Sequence, residues 1–366
     1  MPITSTHSCS SPPQLLLVLH SHKPKYTQIP HLLDSYHHNP CILLRFAHNV
    51  WENGLKTFSK ACQTSTKRSD YTDLRHWILF TNLTNFRVEG GGTINGNGRK
   101  WWQNSCKVNE SLPCTLAPNA VTFFGCNTLE VDNVRFRNAQ KMHLSFQSCV
   151  NVKASNLIVT APGDSPNTDG IHVTATQNIR ISNCLIRTGD DCISIVSGSK
   201  NVRADDITCG PGHGISIGSL GAGNSQAEVS DVVVSKAKII GTTNGLRIKT
   251  WQGGSGYATN IRFKNIMMAN VSNPIIIDQY YCDQDSPCQE QASAVKISNV
   301  VYENVKGTSA SKVAVKFDCS KSFGCQDILL KDVNLRSLAN EIAQASCEHV
   351  DLSHRGTVSP KCSSLI

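Results

Sequence analysis

From about residue 85 the chain repeats one short pattern: an apolar residue, a second and usually apolar residue two positions on, and often Asn or Asp at the fourth. It starts at Phe86, Leu129, Val152, Ile179, Val202, Val232, Ile261, Val295 and Ile328. After a longer first step it recurs about every 23–34 residues, an interval in the range of solenoid coils. Alternation of period two turns the apolar residues inward. Asn133, Asn156, Asn183, Asp206, Asn265, Asn299 and Asp332 fill the fourth position, where they tolerate the left-handed backbone of a sharp corner. The Leu-rich signature and helix-forming stretches of leucine-rich and ankyrin units are missing, so the spacing predicts an all-β solenoid, a right-handed parallel β-helix. Such a coil cannot bury its own apolar face; its neighbours cover it, and the two ends need caps.

Composition agrees with strands and tight turns. Only 17% of the 366 residues are charged, and Val, Ile, Asn, Gly, Ser and Thr dominate beyond Asn85. Nothing in the middle reads as a linker, so we expect one β-helix domain over residues 71–366. Residues 1–70 are rich in His, Pro, Ser and Thr without periodicity, and we expect them to form a poorly ordered extension. The formal net charge is +8, spread without a basic run that would suit nucleic acid; a scattered positive excess fits an acidic polymer or solubility. No stretch is long and apolar enough for a transmembrane helix.

Sixteen cysteines in short local pairs, without CxxC spacing, read as disulfides in an oxidising compartment rather than as zinc ligands. The nearest pairs are Cys106 with Cys114, Cys192 with Cys209, Cys282 with Cys288, Cys319 with Cys325, and Cys347 with Cys362. Cys126 and Cys149 occupy equivalent positions on consecutive coils, where a disulfide and two buried thiols both remain open. Sequons at Asn82, Asn109 and Asn270 are compatible with a secreted glycoprotein. The apolar run Gln14-Leu15-Leu16-Leu17-Val18-Leu19-His20 is shorter than the core of a secretory signal.

Four segments carry the chemistry: Asn167-Thr168-Asp169-Gly170, Gly189-Asp190-Asp191-Cys192, Gly212-His213-Gly214 and Arg247-Ile248-Lys249. Asp169, Asp191 and His213 fall about 22 residues apart, one coil each, so they should stack at roughly 4.8 Å on one surface. Splitting a glycosidic bond needs a protonated carboxyl for the leaving oxygen and a carboxylate for water, and three acids are on offer. In a regular strand Asp190 and Asp191 would face opposite sides, so both serve one site only if the backbone bends, as Gly189 allows. Crowded acids raise the pKa of one of them, which suits a general acid. Gly212 and Gly214 would let the backbone at His213 approach a ligand closely. Arg247 and Lys249, two apart on a strand, share a face and could pair with a uronate carboxylate. Singly, each feature has a plainer explanation: a turn, a solvated strand face or, for Tyr281, packing. Their coincidence on successive coils makes a site.

With these residues the chain resembles plant polygalacturonases, pectin-degrading glycoside hydrolases with a right-handed parallel β-helix. Asn-Thr-Asp, Gly-Asp-Asp, Gly-His-Gly and Arg-Ile-Lys match that family's motifs. So do Gly91-Gly92-Thr93-Ile94-Asn95-Gly96-Asn97-Gly98, Ser165-Pro166-Asn167-Thr168-Asp169-Gly170-Ile171-His172 and Asn273-Pro274-Ile275-Ile276-Ile277-Asp278-Gln279, over a region from about Asp70 to the C-terminus. The resemblance implies hydrolysis of α-1,4-galacturonosyl linkages in de-esterified pectin with inversion and endo action, outside the cell or in its wall. It implies Asp190 as general acid, Asp169 and Asp191 holding and activating water, and His213 supporting the acid. Arg247 and Lys249 would bind the galacturonate carboxylate and Asn167 and Tyr281 would line the cleft, with no metal or organic cofactor and a monomer as the working unit. The front departs from the family: Ala47-His48-Asn49-Val50-Trp51 leads quickly to Tyr71-Thr72-Asp73-Leu74-Arg75-His76-Trp77, so most of the helical cap and first strands are expected to be missing. A pectate lyase, which would want calcium and a basic proton acceptor, and a silent wall-binding β-helix are the alternatives.

Overall fold

The structure, a computed structural model, describes residues 75–114, 116–283, 288–338 and 342–362, together with the backbone of two short strands at Leu15–Val18 and Arg45–Phe46. The expectation for residues 1–70 and the missing cap otherwise lies outside the described residues. The chain winds as a right-handed parallel β-helix with two stacked sheets of 14 and 11 strands among the described residues. The smaller sheet passes through Asn119–Phe124, Leu144–Gln147, Ile171–Thr174, Ile193–Ile195, Ile215–Leu220, Asn244–Thr250 and Asn273–Asp278. A single α-helix among the described residues, Arg99–Gln103, follows the strand Thr93–Asn95 of the larger sheet.

The interior is built from the repeated apolar positions. Phe86, Leu129, Val152, Ile179, Val202, Val232 and Ile261 stand in register from strand to strand, and all are buried. The eighth start is a correction: Ile261 pairs with Val300 rather than Val295, and Val300 pairs with Ile328. Val295-x-Ile297-x-Asn299 and Val300-x-Tyr302-x-Asn304 satisfy the same pattern in succession. Asn299 and Asn304 are two left-handed corners, each with φ 51°, five residues apart within the strand Lys296–Ser309. Phe80, Phe123 and Phe146 stack on consecutive coils with centroids 4.9 and 5.7 Å apart, each pair adding about 0.5–1.5 kcal/mol beyond burial.

The corners are asparagine ladders. Asn133, Asn156, Asn183, Asp206, Asn265, Asn304 and Asp332 all have φ between 51 and 58°, a backbone region that few residues other than Gly, Asn and Asp enter cheaply. Their side chains also bond coil to coil: Asn183 Nδ2 donates to Asn156 Oδ1 at 2.6 Å, and Asn304 Nδ2 to Asn265 Oδ1 at 2.8 Å.

All five anticipated disulfides are present: Cys106–Cys114, Cys192–Cys209, Cys282–Cys288, Cys319–Cys325 and Cys347–Cys362. Cys126 and Cys149 are free buried thiols. Asn82, Asn109 and Asn270 are exposed, as carbohydrate attachment requires.

Candidate active site

One outward column of the smaller sheet organises the site. Ser145, His172, Ser194, Ser216 and Arg247 stand in register on successive coils. The Ile171, Ile193 and Ile215 triplet beside it is buried and fixes the register. The loops entering these strands bring Asp169, Asp190, Asp191 and His213 to the same surface.

The bend at Asp190 and Asp191 lies between the strands Gln177–Arg187 and Ile193–Ile195, and it allows both carboxylates to serve one site. Gly189 is required there for space: a Cβ would collide with the backbone of Ser165. Cys192, next to Asp191, is tied to Cys209. The glycines around His213 have a different purpose from the one expected. Gly214 has φ +83°, and a Cβ would strike the carbonyls of Asn244 and Gly245; these glycines let neighbouring coils approach each other rather than a ligand.

The three acids sit in different environments. Asp190 accepts the main-chain N–H of Asp191 on Oδ1 at 2.7 Å, and the same oxygen lies 2.9 Å from Nδ1 of His213. Burial works to raise its pKa, but the His213 contact and the charge of Lys249 outweigh that and hold Asp190 below the usual carboxylate range. Asn167 is exposed, with Nδ2 3.5 Å from Asp190 Oδ2. Asp169 is buried and accepts one bond, from Ser194 Oγ to Oδ2 at 2.6 Å. Burial first, then the neighbouring charges of Asp190 and Asp191, push it well above the usual range. Asp191 is enclosed by donors: Ser216 Oγ at 2.6 Å and Arg247 Nη2 at 2.7 Å on Oδ1, and Lys249 Nζ at 3.2 Å on Oδ2. Arg247 and Lys249 therefore share one face, as expected, and both are engaged by Asp191. Tyr281 lies beside them, with Lys249 Nζ 5.1 Å from its ring centroid and Trp251 edge-on at 5.4 Å. Burial pushes its phenol up to about 12, so it stays neutral.

Ligand atoms of Asp190, Asp191 and His213 lie within 4.8 Å of one another, close enough to hold a divalent ion. Asp191 already has two cationic side chains in contact, and a metal there would face their repulsion. Sequence reasoning missed Ser194, Ser216 and the ring of His172. One signal was available: Asp169 to Ser194 and Asp191 to Ser216 are both separations of 25 residues.

The family model "Glycosyl hydrolases family 28" matches residues 44–359, beginning ahead of Asp70. The chain is 62% identical over 295 residues to polygalacturonase QRT2 of Arabidopsis thaliana, covering 80% of this chain and 67% of that protein. It is 58% identical over 303 residues to polygalacturonase-2 of Solanum lycopersicum, covering 83% and 66%. It thus spans about two thirds of the length of these curated relatives. Among solved structures it resembles a polygalacturonase from Erwinia carotovora ssp. carotovora, with a TM-score of 0.64 and 26% identity over 76% of this chain and 73% of that one.

Proposed function

The chain belongs to glycosyl hydrolases family 28, and from that premise we propose that it hydrolyses α-1,4-galacturonosyl linkages of de-esterified pectin with inversion, within the chain and in the plant cell wall. The observation that carries this is the gathering of Asp169, Asp190 and Asp191 on one surface, each with a different set of partners. Asp190 donates the proton to the leaving oxygen; Asp169 and Asp191 hold the attacking water; His213 orients Asp190. Arg247 and Lys249 supply the positive charge that draws the galacturonate carboxylate, while Asn167 and Tyr281 line the cleft. The protein acts as a secreted monomer, with the polysaccharide as its partner.

The electrostatics of the free site favour a proton on Asp169 over Asp190. Access favours the reverse assignment. The side chain of Asp190 is 15% exposed against 9% for Asp169 and 3% for Asp191, and a general acid must reach the glycosidic oxygen. A uronate seated beside Asp190 adds negative charge and removes water, and both raise its pKa. Asp190 is loaded when substrate arrives.

The test is to follow oligogalacturonate cleavage by proton NMR during the first turnovers. Initial release of the β-anomer supports inversion at an α-linkage. Initial α-anomer would mean a covalent route and overturn these roles.

A further inference from the structure

His172 is the titratable group closest to this machinery to which no role has been given. Its side chain is 14% exposed and stands in the outward column between Ser145 and Ser194. Nδ1 lies 2.7 Å from Ser194 Oγ, and Nε2 lies 2.8 Å from Thr174 Oγ1. Nδ1 is 3.9 Å from Asp169 Oδ2, too far for a direct hydrogen bond. Burial, then the charge of Lys141, pushes the imidazole down to about 4, so it is neutral, with one donor nitrogen and one acceptor.

With Asp169 ionised, as holding and activating the attacking water requires, the directions of the chain follow from that one charge. Ser194 has a single proton and gives it to the Asp169 carboxylate, so its oxygen accepts from His172 Nδ1–H. Nε2 is left to accept the hydroxyl of Thr174. The next coil repeats the device with a different driver: Ser216 donates to Asp191 while Arg247 Nε donates to Ser216 at 2.9 Å. A guanidinium, which can only donate, backs the serine at Asp191, and a neutral imidazole takes that place at Asp169, its tautomer set by the carboxylate.

We propose that Thr174, His172 and Ser194 form a positioning relay that fixes the Oδ2 atom of Asp169 and leaves Oδ1 for the attacking water. This rests on the hydrolase assignment above. In this relay His172, whose Nδ1 is 3.9 Å from Asp169 Oδ2, acts on the carboxylate through Ser194.

The test compares His172→Leu, His172→Asn, Ser194→Ala and the His172→Leu/Ser194→Ala double variant in the full chain, on polygalacturonate, with thermal melting as a check on folding. His172→Leu is expected to lower kcat about ten- to a hundredfold with KM within about twofold. His172→Asn, whose amide N–H replaces Nδ1–H, should recover most of it, and the double variant should be no worse than either single one. Equal losses in the Leu and Asn variants, a change confined to KM, or additive losses would overturn the relay. Nitrogen-15 NMR of histidine-labelled protein, with His172→Asn identifying the signal, decides it without activity. The relay requires a neutral Nδ1–H tautomer at neutral pH; an Nε2–H tautomer or an imidazolium refutes it. If the wild type leaves polygalacturonate intact, the hydrolase assignment falls while the NMR result still decides the relay.

Discussion

His213 holds Asp190 twice: its main-chain N–H donates to the Asp190 carbonyl at 2.9 Å, and its Nδ1 lies 2.9 Å from Asp190 Oδ1. The first bond fixes the loop that carries the acid and the second fixes the acid itself. His213→Gln keeps the main-chain bond and disturbs the second. We expect kcat to fall about ten- to a hundredfold. Asp190 loses the contact that holds its pKa down, so the alkaline limb of kcat/KM should move to higher pH. An unchanged limb in the measured pH profile would separate His213 from the acid.

In the proposed role, Asp169 trades stability for function. Its pKa is raised on folding, so its favourable contribution is complete below the unfolded-state pKa near 3.9 and is lost as pH rises through the folded value. At neutral pH the raised pKa makes this carboxyl a net cost to the fold, whether it is ionised or still holds its proton. Asp169→Asn should therefore be nearly inactive yet melt at a higher temperature than the wild type at pH 7, with the gap closing toward pH 4. Melting curves across that range check the sign; a lower melting temperature at pH 7 would contradict it.

Gly189 should accept no side chain. A Cβ there meets the Ser165 backbone, and such overpacking typically costs about 1–3 kcal/mol. The strain would fall on the loop holding Asp190 and Asp191. Gly189→Ala is expected to lose more than nine-tenths of its activity while remaining folded at 25 °C, measured by turnover alongside circular dichroism.

The corner ladder separates backbone from side-chain effects. Asn183 has φ 53° and bonds to Asn156. Asn183→Ala gives up the hydrogen bond and strains the left-handed backbone, for about 1–2 kcal/mol; Asn183→Gly gives up only the bond. Denaturant titration should rank wild type above Gly and Gly above Ala.

The coil pattern and the four chemical segments were legible because they recur at coil spacing, and the disulfide pairs because their cysteines lie only 6 to 17 residues apart. Ser194 and Ser216 were not. A hydroxyl at an outward strand position looks the same whether it faces solvent or a carboxylate on the preceding coil, and only the register separates the two. Val295 was misassigned for a related reason: two corners in succession satisfy one pattern, and the pairing with Ile261 chooses Val300. Gly212 and Gly214 were singled out correctly, but the backbone they approach is another coil of the protein. The engagement of Arg247 and Lys249 by Asp191 was hidden by the more than fifty residues between them.

Wild type and Asp190→Asn should be assayed together on polygalacturonate, counting new reducing ends and unsaturated ends with and without a calcium chelator. We expect the wild type to release reducing ends alone, indifferent to chelator, and Asp190→Asn to be slower by about 10²–10⁴-fold. Unsaturated ends that vanish on chelation, or an Asp190→Asn variant as fast as the wild type, would contradict hydrolysis by this acid.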